Sequence, residues 1–392
     1  MGLMDLFRRS TTSSALPKLS KPTLVARMGE GEHAGRKTTN ADGGPFLEDW
    51  SEGTSNAVRS GRPSFDGKEI VSVGDAGFQR WDATTGALKE TISLPEVTGT
   101  LTTKGLRVGR SAIDISPDMQ SFASFGTQPR PSTQYTDYWS MLHHRRALDK
   151  PIVLPGWVAE DMLSGVRFLP SPNRLLRWGY KSKATQLDLI GTDSNTVIDS
   201  CRLPYGAHIS HIAANGRAFA GWHEGVLALD GSQDKLSIVS RLDLDSAGSF
   251  GSGHSHYGVL TSDETRWLVT SRFEGERTGV YRGTLSAWDK AGTKIWGVET
   301  SELNPLWREV ASLSIHSNDQ AVAISVIERD FVIGKHSRLA SYVVFINIAD
   351  GLPQRWFKAH RNYCSAHCLP DGERVLTVSR DECAMNLWTL GA

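Results

Sequence analysis

The chain has 392 residues, 39% hydrophobic and 8% aromatic, enough for a packed core. Its 43 Lys and Arg equal its 43 Asp and Glu, and zero net charge argues against strong non-specific attraction to nucleic acid or to an anionic membrane. Four cysteines (Cys201, Cys364, Cys368 and Cys383) are too few for a disulfide framework and point to a reducing, cytoplasmic setting, while no apolar run reaches the roughly 18 residues of a membrane helix.

Residues 1–43 read as a flexible arm, in which Ser, Thr, Lys, Gly and Pro dominate and apolar residues keep no period. The start is charged too soon for a signal peptide, and Leu6 stands where a myristoylation motif after Gly2 wants Ser or Thr. Leu3, Leu6 and Phe7 beside Arg8 and Arg9 would make only a weak membrane tether. From Phe46 onward, short runs of Val, Ile, Leu, Phe and Trp alternate with turn residues, the signature of an all-β chain.

Seven tight turns punctuate that stretch: Asp66-Gly67, Pro117-Asp118, Pro172-Asn173, Asn215-Gly216, Ser262-Asp263, Asn318-Asp319 and Asp371-Gly372. Their Asp or Asn residues (66, 118, 173, 215, 263, 318, 371) follow one another at 42 to 55 residues, so the chain reads as seven copies of one unit. In the first copy, strands are predicted over Glu69–Val73, Phe78–Asp82 and Ala87–Ile92; the fifth offers Trp267–Ser271 and Gly283–Asp289. Each unit is about four strands in meander order. A sheet of that size cannot bury both faces alone, but a radial stack of such sheets buries both. The last unit stops after its third strand, at Trp388-Thr389-Leu390. The missing strand is expected from Phe46–Trp50, which would pair with the final blade and close the ring, making 44–392 one domain. On that basis deleting 44–52 should abolish cooperative unfolding and deleting 1–40 should not.

Over residues 46–390 the chain resembles the WD-repeat family of β-propellers. The carriers are Trp81-Asp82 before Thr85-Gly86, Trp288-Asp289 before Gly292, and the last unit, where Ala359-His360 stands for the family's Gly-His and Leu369-Pro370-Asp371-Gly372 is its first turn. The resemblance implies a seven-bladed propeller of four-stranded antiparallel blades. It also implies an in-blade hydrogen-bond network at His360, Thr377 or Ser379, Asp381 and Trp388, with Asp75, Trp81, His254 and Trp288 as counterparts elsewhere. Finally it implies a non-catalytic scaffold for a protein or peptide, monomeric outside a complex and without cofactor. The third and fourth units share little with the family beyond turn and strand rhythm.

The first turn of every unit is short, and extra length falls between second and third strands and between units. Both loop types emerge on one face, where rigid scaffolds usually carry binding sites. Arg107, Arg130, Tyr135, Arg277, Tyr281, Arg282, Trp307, Arg308 and Phe331 lie in or beside those loops, and Arg and aromatic residues mark protein interfaces. His360, Cys364, His367 and Cys368 invite a metal, but on a strand Cys364 and Cys368 share a face that His367 does not. His254-Ser255-His256 lacks an adjacent third ligand, and His143-His144-Arg145-Arg146 reads as a solvated basic face. No nucleophile elbow, phosphate loop or HExxH occurs, so no catalytic residue and no metal ligand is assigned. The alternative function is a hydrolase or lactonase with a metal-dependent site in the central channel.

Overall fold

In the first turns, the side chain of the turn's Asp or Asn accepts the N–H two residues on: Asp66 from Lys68 at 3.1 Å, Asp118 from Gln120 at 3.0 Å, Asn215 from Arg217 at 3.1 Å, Asp263 from Thr265 at 3.0 Å, Asn318 from Gln320 at 3.0 Å and Asp371 from Glu373 at 2.9 Å. The intervening residue takes a left-handed conformation in all six: Gly67, Met119, Gly216, Glu264, Asp319 and Gly372 have φ between 53° and 85°. An Asx side chain that substitutes for a backbone turn acceptor explains why Asp or Asn recurs there.

These turns join the strands of a computed structural model that describes residues 22–29, 58–74, 77–93, 107–129, 136–156, 162–171, 173–181, 184–244, 255–274, 281–332, 335–361, 363–379 and 382–391. The strands form seven four-stranded antiparallel sheets, six of them in chain order and the seventh completed by an N-terminal strand beside the last. They are the blades of a seven-bladed β-propeller: blade 1 spans 58–92, blade 2 107–153, blade 3 162–203, blade 4 208–243, blade 5 255–299, blade 6 307–360 and blade 7 365–389. The one helix among the described residues is the short Thr300–Leu303.

Second and third strands are buried on both faces, as in Arg217–Trp222 and Gly225–Asp230, whereas outermost strands such as Ser237–Asp243 are largely exposed. Alternation sends neighbours to opposite seams. In blade 1, Ile70 and Trp81 pack with Leu376, Met385 and Leu387 of blade 7, while Val71, Val73 and Phe78 pack with Ile115 and Phe122 of blade 2. Apolar clusters likewise fill the seams 2–3, 3–4, 4–5, 5–6 and 6–7. Polar bonds between neighbouring blades add to them: Arg217 to Glu264 at 2.9 Å, Ser262 N–H to Asp319 at 2.7 Å, His316 Nε2 to the Gly372 carbonyl at 2.6 Å, and, across the closure, Arg374 to the Ala83 carbonyl.

The ring closes through an N-terminal strand, but a different one from the one expected. Thr23–Met28 pairs antiparallel with Ala384–Thr389, in register Thr23 with Thr389 and Met28 with Met385. This strand lies within the stretch read as a flexible arm, so the propeller takes in residues before 44; Phe46–Trp50 lies outside the described residues. Two features hid it. A bulge between Leu24 and Ala26 breaks the alternation, and Leu24 and Val25 are exposed on an outermost strand. Only Met28 is deeply buried, against Val58, Trp81 and Leu387.

Candidate functional site

The innermost strands end at Pro63, Ile115, Phe168, Ile212, Leu260, Ile315 and Cys368. Their penultimate residues therefore occupy equivalent positions: Arg62, Asp114, Arg167, His211, Val259, Ser314 and His367, one per blade. All seven line a central cavity of about 850 Å³. Its wall continues into first-turn residues such as Phe65, Asn215, Ser262, Ser317 and Pro370, so it opens on the short-turn face. Five chemically active members, His367, Arg62, Asp114, Arg167 and His211, are consecutive around the ring, and Val259 and Ser314 complete it.

Within that arc the carboxylate is fully engaged. Asp114 Oδ1 accepts from Arg62 Nε at 3.1 Å and Nη2 at 2.9 Å, and Oδ2 accepts the Phe168 N–H at 2.8 Å. Arg62 also donates to the carbonyls of Ile115 and Pro63. Arg167 differs. Its guanidinium stands 3.9 Å from Asp114 Oδ1, beyond hydrogen-bond reach, and donates to no described residue, with 39% of the side chain open to the channel. Enclosure pushes its pKa down from the ordinary arginine value, opposed by Asp114 and reinforced by Arg62. His211 has its pKa lowered to about 4, by enclosure first and by Arg167 second. His367 is lowered to about 3 by enclosure, then by His211, Arg167 and Arg62. All four groups line the one cavity. Both imidazoles are neutral at physiological pH; His367 Nε2 lies 3.1 Å from Ser365 Oγ.

The seven-position channel ring was not singled out in the sequence, although a signal was there. Six of its positions lie four residues before a turn's Asp or Asn (62 before 66, 114 before 118, 211 before 215, 259 before 263, 314 before 318, 367 before 371). In blade 3 the turn from Leu169 to Arg174 has the usual length but carries Ser171 where the others have Asp or Asn, four residues after Arg167.

The loop-rich face is built differently from the expectation of plain loops. In blades 2, 5 and 6 the added length continues the second and third strands as ladders: Ser121–Pro129 with Thr136–His144, Arg266–Glu274 with Tyr281–Asp289, and Ala321–Val332 with Lys335–Asn347. Tyr281, Arg282 and Phe331 lie on these strands, and Arg107 begins the innermost strand of blade 2. Arg130, Tyr135 and Arg277 lie outside the described residues. Arg308 is partly exposed. Trp307 is not available to a partner: it is 2% exposed, with its ring 5.5 Å from Tyr342 and 5.8 Å from Trp356. The aromatic it supports, Trp356, is 51% exposed.

Among the family-suggested positions, His360 Nε2 lies 3.0 Å from Thr377 Oγ1, which also accepts from Trp388 Nε1 at 2.9 Å. His360 Nδ1 stands 3.2 Å from Glu382 Oε2 at an angle unsuited to a hydrogen bond. Ser379 instead donates to the Tyr363 carbonyl. Trp81 Nε1 donates to Ser72 at 2.9 Å and Trp288 Nε1 to Ser286 at 2.8 Å. Asp75, His254 and Asp381 lie outside the described residues, and His256 sits 2.6 Å from Ser271 Oγ. All four cysteines are free. Burial raises the thiols of Cys364 and Cys368 to about 11 and about 12. Among the described residues no three His, Cys, Asp or Glu side chains gather as a metal site, and no helix is long and apolar enough to cross a membrane.

No family model and no curated protein matches the chain. Among solved structures it is similar to the β-propeller domain of Cps50 (Swd1) from Myceliophteria thermophila, at 10% identity and a TM-score of 0.50, covering 94% of this chain and 99% of that one. It is also similar to hydrazine synthase from Kuenenia stuttgartiensis, at 13% identity and a TM-score of 0.54, covering 88% and 97%. At such identities the likeness concerns the fold.

Proposed function

We propose that the protein is a non-catalytic, cytoplasmic interaction platform of the WD-repeat kind, which holds a protein or peptide partner on its loop-rich face. The observation that carries this reading is the lengthening of the blade 2, 5 and 6 hairpins, all toward one face of a closed ring. On the outermost strand of blade 6, opposite Val344, Trp356 presents half its surface and packs against the rings of Trp307 and Tyr342. An exposed aromatic packed on two others has the composition of an interface hot spot. We propose Arg107, Arg130, Tyr135, Arg277, Tyr281, Arg282 and Phe331 as further partner-binding residues. His360, Thr377 and Trp388 serve the blade rather than the partner, and four free thiols suit a reducing compartment.

Affinity purification from the native host tests this. Trp356→Ala combined with Arg277→Ala and Tyr281→Ala should lose partners that the wild type retains. An unchanged partner set would remove this face from consideration. The enzyme reading, with a metal-dependent centre in the channel, requires about one equivalent of a divalent cation to copurify, which metal analysis of the same preparation decides.

A further inference from the structure

Arg167 is the least settled charged group in the described channel. Charged lining residues balance in number, Arg62, Arg167 and Arg217 against Asp114, Glu264 and Asp319, but their pairing is uneven. Arg217 is 2.9 Å from Glu264 and 3.2 Å from Asp230, Asp319 accepts from Ser262, and both oxygens of Asp114 are occupied. Arg167 alone among these cations donates no hydrogen bond to a described residue. Held only by a 3.9 Å ion pair to an Asp114 already engaged by Arg62, the Arg167 guanidinium keeps its donors unused among the described residues, and the equivalent position is Val259 in blade 5 and Ser314 in blade 6, so the architecture does not demand a charge there. On one side of Arg167 stands His211, whose ring nitrogens have no described partner; across the channel stands His367 with Nδ1 free of described partners. Five donors fixed in a planar fork match the oxygens of a carboxylate or a phosphate.

We propose that this ring is a binding site for an oxyanion, a carboxylate or phosphate group on a ligand that enters from the short-turn face, with Arg167 as its principal donor and His211 and His367 as flanking hydrogen-bond partners. Asp114 sets the geometry. It draws Arg62 to one side and leaves the Arg167 fork open to the channel axis. The site would anchor one acidic group of a partner, so the proposal deepens the platform reading and rests on it only for what carries the anion.

Titration of the full chain with inorganic phosphate and, separately, with succinate tests the site by calorimetry without any partner. Saturable binding of at least one probe is expected, and competition between the two identifies the better class. Arg167→Gln should weaken that binding about tenfold or more, since it removes the charge-assisted hydrogen bonds of the fork. Arg167→Lys, which keeps the charge and loses the fork, should fall between, and Arg241→Gln on an outer strand should match the wild type. Failure of both probes to bind, or an Arg167→Gln variant of native fold by circular dichroism that binds as the wild type does, would overturn the proposal. Loss of the platform reading looks different: the anion still binds while no partner is captured.

Discussion

Arg177 and Asp188 form a buried ion pair at 2.7 Å, with side chains 0% and 2% exposed. Arg177 also donates to Ser140 and to the carbonyls of Leu154 and Pro155, joining blade 3 to blade 2, and Asp188 accepts from Gln186 and Ser200. Removing one partner leaves the other charge buried, so Arg177→Ala should cost about 3–5 kcal/mol, read as a lower urea midpoint. Histidine titration makes a second prediction. His211 and His367 have pKa values lowered to about 4 and about 3 from 6.5. Between those values and 6.5 the unfolded chain binds more protons, so their contribution is complete above pH 6.5 and is lost as pH falls. Each contributes a slope of at most about 1.4 kcal/mol per pH unit, and His143, His208 and His360, lowered by burial, add the same sign. Urea midpoints at pH 7 and pH 5 should therefore diverge, and His211→Gln with His367→Gln should narrow the gap. Of these environments only that of His360, through the resemblance, was legible in the sequence, where Arg177 is one arginine among many and its burial depends on Ser140 of another blade.

At the scale of the element, the turns and the middle strands were legible because their physics is local. An Asx acceptor, a left-handed residue and a buried β-branched run occur within about ten residues of chain. The closing strand is the opposite case. Thr23–Met28 gains its place from Ala384–Thr389, and its Met28 from a cluster shared by blades 1 and 7. Met28→Ala should cost about 2–5 kcal/mol by chemical denaturation. Gly86 gives a finer test of the same contact. It has φ +71°, and a Cβ there would lie 2.2 Å from Ala26 Cβ. Gly86→Ala should therefore destabilise by about 1–2 kcal/mol from backbone strain alone, and removal of residues 1–40 from a Gly86→Ala chain should add nothing from the clash with Ala26. A clash penalty that survives the truncation would contradict the closure.

For the whole molecule, apolar clusters at all seven seams mean that no blade has a core of its own. Unfolding should be a single transition in calorimetry, and deleting residues 1–40 should broaden it and lower its midpoint, the reverse of the outcome that closure by Phe46–Trp50 would give. The sequence by itself determined the number of blades, their four-stranded make-up and the sorting of short turns and long insertions onto opposite faces, because each of these repeats along the chain. Only the tertiary structure decided which strand closes the ring, that Trp307 supports Trp356 instead of facing solvent, and that Arg62, Asp114, Arg167, His211 and His367 stand around one channel. Those facts join residues about 50 to more than 300 positions apart, and what joins them is the rotation from blade to blade, which no local pattern of side chains records.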